Sequence, residues 1–198
     1  MILLGITGGI GTGKGLATEF FRSRGAAIID ADEIARELMQ PGSAILADIA
    51  AAFGRCVLRD DGSLHRRKLA ERVFGDPGAL AKLNAVTHPP IKEEIRRRID
   101  GLRREHSARV ACLVAPLLLE AGLGETVDHL LVMTAAEEER LRRVAARDNI
   151  SEEEVRRRVA AQMPPADQIH QADWVVDTSG EREEVYRRLN TVWAELNG

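Results

Sequence analysis

Aromatic residues make up only 4% of the chain, which removes the stacking platform that usually holds single-stranded nucleic acid. Cysteine is sparser still. Cys56 and Cys112 are the only two, and neither belongs to a Cys-x-x-Cys pair. That argues against a zinc site and for a reducing compartment, with both thiols expected to behave as small buried apolar residues. Neither sign of charge dominates: a net charge of −3 gives no general pull toward nucleic acid or an anionic membrane. No apolar run approaches transmembrane length. Residues 2–6 are apolar, but too short a run for a signal peptide and without a basic lead. The expectation is a cytoplasmic protein with neither nucleic acid nor membrane as partner.

What is present fits one globular domain. The 198 residues are enough to bury a core without staples, and the 44% apolar share recurs along the whole length, which argues against disorder. Short β-rich runs alternate with long helical patterns, the signature of a parallel sheet covered by helices. Strands are expected at 2–7, 26–29, 110–114, 129–133 and 174–176. Helical patterns cover about 14–24, 32–40, 43–53, 66–74, 78–106, 136–148, 151–162 and 181–196. Pro89-Pro90 is expected to break the long helical stretch in two near His88. Ser151 followed by Glu154 reads as a capping box. Pro164-Pro165 should stop the helix before it. Asp60-Asp61-Gly62 reads as a turn. The stretch between Gly42 and Ser107 has no strand of its own, so it reads as an all-helical insertion serving a substrate.

The most specific motif is Gly8-Gly9-Ile10-Gly11-Thr12-Gly13-Lys14, between a strand and a helix. It matches Gly-x-x-x-x-Gly-Lys in the context the motif requires. Gly8, Gly11 and Gly13 let the backbone curl so that N–H groups, Thr12's among them, point at phosphate oxygens, and the helix adds its positive end. Lys14 would reach the β- and γ-phosphates. A glycine-rich turn with a surface lysine is the bland reading, and strand, spacing, lysine and helix together speak against it. The motif's next position calls for a Ser or Thr hydroxyl on Mg²⁺, but here it is Gly15, so the metal ligand is unassigned and weaker metal binding is expected. Gly15's N–H stays available to a phosphate.

Past the loop the chain reads Ile29-Asp30-Ala31-Asp32-Glu33-Ile34-Ala35-Arg36. Together with the loop, this segment resembles the dephospho-CoA kinase family. Asp61-Gly62-Ser63-Leu64 with Arg66, Leu69 and Val73-Phe74 is similar to a further block. So are Asn84 with His88-Pro89, Pro116 to Glu120, Arg143 with Arg147-Asp148, Gln162-Met163-Pro164, and Ala172-Asp173 through Gly180. The resemblance spans about residues 3–180. It implies an α/β P-loop NTPase fold: a five-stranded parallel sheet flanked by helices, with a helical substrate-binding insertion and a lid. Its parts would be a core of 1–42, 107–135 and 171–198, a CoA-binding insertion of about 43–106 and a lid of about 136–170. The implied reaction moves the γ-phosphoryl of ATP, with Mg²⁺, to the ribose 3′-hydroxyl of dephospho-CoA.

Asp32 follows the second strand, where α/β sites gather, but a carboxylate there also suits the start of a helix. The resemblance makes it the residue that orients the acceptor hydroxyl. Arg36, four residues on, either pairs with Asp32 or takes a substrate phosphate. Arg66 is a candidate for the acceptor's phosphates, and His88 is either a helix-end hydrogen-bonding residue or a substrate contact. The resemblance also implies that Arg143 and Arg147 clamp the triphosphate and that Gly180 lies against the adenine. The family's Asn stands as Thr178 and its frequent Asp as Val114. Most other arginines follow a Glu at i,i+4 (Glu93–Arg97, Glu94–Arg98, Glu138–Arg142, Glu139–Arg143, the 152–158 run, Glu183–Arg187 and Glu184–Arg188) and read as solvated ladders. Two rival readings remain: a nucleotide or CoA binder weakened by Gly15, and a kinase for another nucleoside-like acceptor.

Overall fold

The computed structural model describes residues 1–73 and 76–198; Phe74, which ends one of the resembling blocks, lies outside the described residues. In chain order the elements are β1 (Ile2–Thr7), α1 (Lys14–Ser23), β2 (Ala27–Asp30), α2 (Ala31–Leu38), α3 (Ala44–Phe53), α4 (Arg66–Val73), α5 (Pro77–Glu105), β3 (Val110–Val114), β4 (His129–Thr134), α6 (Glu137–Asp148), α7 (Glu152–Ala160), α8 (Pro165–His170), β5 (Trp174–Asp177) and α9 (Arg182–Asn197). The chain forms two compact units, Met1–Asp30 with Leu102–Gly198, and Ala31–Gly101.

The first unit holds one sheet in the order β2-β3-β1-β4-β5, and every pairing is parallel. β1 is central. Its residues Leu3, Leu4 and Ile6 are fully buried, as befits a strand covered on both faces. Leu4 and Ile6, Cys112 and Val114, and Leu131 and Met133 face a layer built by Phe20 and Phe21 of α1 and by Val185, Leu189, Val192 and Leu196 of α9. β2 runs one residue later than the sequence pattern suggests. Ala26 N–H donates to Phe21 O and closes α1, while Asp30 pairs in register with Val114.

The second unit packs α3, α4 and the start of α5 around Ile45, Leu46, Ile49, Phe53, Val57, Leu69 and Val73. Ser43 caps α3 by accepting from Leu46 N–H. Gly62, at φ 77°, turns the chain so that Leu58 and Leu64 form an antiparallel bridge.

Four sequence expectations need correction or extension. α5 is one helix through Pro89 and Pro90. The two rings remove two N–H donors, but each fixes φ at a helical value, and the buried residues Thr87, Ile95 and Ile99 anchor the helix on both sides of the pair. The helix before Pro164-Pro165 does stop ahead of the pair, at Ala160, but the pair also starts α8, with a proline at its first position, where the missing N–H costs nothing. Cys56 is exposed and only Cys112 is buried, because Val57 takes the inward position of its 3-10 turn. The arginine ladders hold at i,i+4 for Arg98, Arg143, Arg158 and Arg188, but each of those carboxylates forks and also takes the arginine at i+3. Glu94 takes Arg97 and Arg98, Glu139 takes Arg142 and Arg143, Glu154 takes Arg157 and Arg158, and Glu184 takes Arg187 and Arg188. Arg156 pairs with Glu137 of α6 instead of Glu152. A carboxylate has two oxygens, and its i+3 and i+4 neighbours lie on the same side of a helix.

Candidate active site

Residues 8–13 leave the C-terminal end of β1, the central strand, and run directly into α1. Gly8 has φ 139°, and a Cβ there would run into the Met133 carbonyl of β4, so only glycine lets the loop start so close to the sheet. Gly13, at φ 82°, stands at the N-cap of α1 and offers no side-chain cap, which leaves the first amides of the helix to an anion. Thr12 is buried; its hydroxyl donates to Gly9 O at 2.8 Å and holds the loop's curl from inside. Lys14 Nζ donates to Gly8 O at 2.7 Å and Gly9 O at 3.0 Å, so its ammonium lies over the loop.

A cavity of about 250 Å³ opens against this loop, lined by Gly11, Gly13, Lys14, Gly15, Arg143, Val144 and Arg147. Arg143 and Arg147 stand one turn apart on α6. Arg143 donates to Thr178 Oγ1 at 2.8 Å and Thr178 O at 2.7 Å and pairs with Glu139 at 3.3 Å. Arg147 has no carboxylate at i,i+4 spacing in the sequence, but its neighbour Asp148 grips it at 2.7 and 3.0 Å. Gly180 is exposed and does not line this cavity.

The remaining candidates lie in the second unit. Asp32 and Arg36 are both exposed on α2, and Arg36 Nε donates to the Asp32 carbonyl at 3.2 Å. Arg66 is exposed at the first position of α4. His88 is half-buried within α5. Burial, and then the Lys92 charge, lower its pKa below the ordinary 6.5, which keeps it neutral at pH 7.

Sequence reasoning gave no role to three residues that shape the loop. Thr178 is 5% exposed; its hydroxyl stands 3.1 Å from Thr12 O and 3.2 Å from Thr134 O, either of which can take its proton. It therefore ties the loop to the end of β4 and to Arg143. Arg140, 6% exposed, donates from Nε to Ile10 O at 2.9 Å. Gln162 Oε1 accepts from Ile10 N–H at 2.8 Å. One signal for Arg140 was legible: it lies four residues before the apolar Val144, on the buried stripe of α6, with no Glu at i−4.

The loop suits the phosphates of a nucleotide, but its side chains do not suit a directly held divalent cation. Gly15 and Val114 offer no side-chain oxygen, and no group of three or more His, Cys, Asp and Glu fit to hold a metal occurs among the described residues.

A glycine-rich loop between a central parallel strand and an uncapped helix, with lysine and two arginines around one cavity, marks a P-loop nucleotide-binding protein. Comparison with known proteins narrows this class. The family described as dephospho-CoA kinase matches residues 2–184. The dephospho-CoA kinase of Syntrophotalea carbinolica is 42% identical over 196 residues, 99% of this chain and 92% of that protein. A solved structure from Thermus thermophilus superposes with a TM-score of 0.84 at 36% identity, covering 100% of this chain and 98% of the other. The dephospho-CoA kinase from Campylobacter jejuni gives a TM-score of 0.71 at 26% identity, covering 98% and 96%. The chain belongs to the dephospho-CoA kinase family.

Proposed function

We propose that this chain transfers the γ-phosphoryl group of ATP to the ribose 3′-hydroxyl of dephospho-CoA, giving CoA and ADP. The observation that carries the reading, within the family just given, is the cavity that gathers Lys14, Arg143 and Arg147 against the uncapped start of α1. Phosphoryl transfer needs little covalent help from a protein; it needs positioning, and positive charge where charge develops. The loop amides hold the β- and γ-phosphates. Lys14 exchanges the Gly8 and Gly9 carbonyls for phosphate oxygens. Arg143, braced by Thr178, supplies fixed charge, and Arg147 supplies a second cation one turn on.

Asp32 orients the acceptor hydroxyl and receives its proton as the new O–P bond forms. Arg36 and Arg66 meet the acceptor's phosphates, and His88, being neutral, serves as a hydrogen-bonding contact. In this reading the helical segment of about 43–106 binds the CoA moiety, the segment of about 136–170 acts as the lid, and Gly180 lies near the adenine. An Mg²⁺ accompanying ATP would gain no hydroxyl ligand from position 15, and its contribution would be to neutralise charge on the phosphates. The expected workplace is the cytoplasm, and no helix among the described residues is long and apolar enough to cross a membrane.

The test is a coupled ADP-release assay with dephospho-CoA and Mg²⁺ on the native chain, Gly15→Ser and Asp32→Asn. A Cβ at Gly15 meets nothing within 4 Å, so serine fits without repacking, and half-saturation by Mg²⁺ should fall several-fold. Asp32→Asn should lower turnover at least a hundredfold, at the low end of what a positioned acid or base contributes, with ATP affinity nearly unchanged. Intact ATP binding without turnover in either the native chain or Gly15→Ser would sink the kinase reading. An unaltered rate in Asp32→Asn would remove its role.

A further inference from the structure

Arg140 is a costly residue to bury. Taking a guanidinium out of water is repaid only by close partners, and among the described residues no carboxylate pairs with it. Burial lowers its pKa, and the acidic influence opposing that is Glu137, which itself pairs with Arg156. The hydrogen bond Arg140 does make goes to Ile10 O, in the middle of the phosphate loop.

Ile10 is held on three sides. Its carbonyl accepts from Arg140, its N–H donates to Gln162 Oε1, and its side chain packs on the cluster of Leu141, Val144 and Val155 from α6 and α7. Gly9 completes the fit, since a Cβ there would come within 3.0 Å of Arg140 Cζ and 3.3 Å of Gln162 Oε1. Gly11 lies equally close to α6: a Cβ on it would stand 2.9 Å from the Arg140 carbonyl oxygen. The loop's outer wall is thus fitted to the backbone of the same helix that carries Arg143 and Arg147.

We propose that Arg140, together with Gln162, is a positioning residue for nucleotide binding: the pair holds the two peptides that flank Ile10 and thereby fixes the phosphate-binding curl of residues 8–14 relative to the arginines of α6. Neither side chain needs to touch the nucleotide. Gln162 holds the Gly9–Ile10 peptide through its N–H and Arg140 holds the Ile10–Gly11 peptide through its carbonyl; a rotation of the second would swing the Gly11 amide, and the Arg140 hydrogen bond opposes it. The stability cost of a buried unpaired guanidinium is offset by a loop already shaped for its ligand.

The inference uses the kinase reading only to choose ATP as the probe. ATP affinity is measured by calorimetry on the native chain, Arg140→Ala, Arg140→Lys, Gly9→Ala and the Gly9→Ala/Arg140→Ala double variant, with steady-state kinetics and melting curves alongside. Losing a charged hydrogen bond of this kind should weaken ATP binding roughly tenfold or more, with KM for dephospho-CoA kept within about twofold. Arg140→Lys, which keeps a cationic donor, should recover part of the loss. Gly9→Ala should weaken ATP binding in the native background, and the double variant should bind about as Arg140→Ala does, because the clash with the guanidinium has gone and only the 3.3 Å approach to Gln162 Oε1 remains. A folded Arg140→Ala chain that binds ATP as tightly as native overturns the proposal. So do Gly9→Ala and Arg140→Ala losses that multiply independently. If Arg140→Ala fails to fold, Gly9→Ala decides, and unchanged ATP affinity in it overturns the proposal. A native chain that binds ATP but transfers nothing would end the functional reading while leaving this comparison intact.

Discussion

Cys112 and Cys56 show how one residue type takes two fates. Cys112 lies in β3 facing α1 and α9, and burial pushes its thiol up to about 12. At neutral pH it holds almost no thiolate, the form that reacts. Cys56 is exposed. A thiol reagent should therefore label one cysteine per native chain, and the second only after denaturation. Two rapid equivalents from the native protein, counted by absorbance, would contradict the burial. Both residues look alike in sequence, since neither has a paired spacing. Gly15 is the opposite case: its departure from the motif was plain in the sequence, but only the open space around it shows that a serine would fit.

Among elements, α5 departs furthest from the expectation. A Pro-Pro pair is a strong break signal locally, but Thr87 on one side and Ile95 and Ile99 on the other are buried, and one continuous helix satisfies both anchors. The missing N–H bond at the exposed Pro89 is an uncompensated loss. Pro89→Ala should therefore stabilise the protein by about 1–3 kcal/mol through a restored backbone bond and better helix propensity, read as a higher urea midpoint. An unchanged or lower midpoint would mean that the helix needs a bend there. α8 was missed for the converse reason. Six residues give too little periodicity to register, and Pro164-Pro165 reads only as a stop until it is seen at a helix start. The strands were legible because both faces of a parallel sheet are apolar; their ends moved by a residue, as hydrogen-bond partners decide such limits.

At the scale of the molecule, stability should fall with acid in two stages. Burial and then Lys92 lower the pKa of His88. Its contribution is therefore present above the ordinary 6.5 and is lost as pH falls through the folded value. The carboxylates come next. Arg97 and then Arg98 hold Glu94 down to about 2. Arg142 lowers Glu139, and Arg147 lowers Asp148. A carboxyl depressed in the folded state stabilises above its ordinary value, near 4.5 for Glu, and loses that contribution as pH falls through the folded value. Arg97, Arg142 and Arg147 in these pairs are well exposed, so salt should blunt the second stage. Urea midpoints at pH 7, 5.5, 4 and 3, with and without 1 M NaCl as a roughly 3 Å Debye-length condition, test both stages. A midpoint that rises on acidification would refute the sign.

The chain's own order determined the phosphate loop, the parallel sheet, the family and the absence of a metal-ligating hydroxyl at position 15. Each depends on residue type at short spacing, and sequence carries such information directly. The partners of Arg140, Gln162 and Thr178 were decided only by the fold. These residues lie 130, 152 and 166 positions from the loop atoms they hold, and a hydrogen bond formed across such separations has no local pattern to announce it. The same holds for the choice between a solvated arginine and a buried one. Arg140 and Arg142 sit two residues apart on one helix, and only the packing of α6 against residues 9–11 makes one a surface ion pair and the other a brace for the phosphate loop.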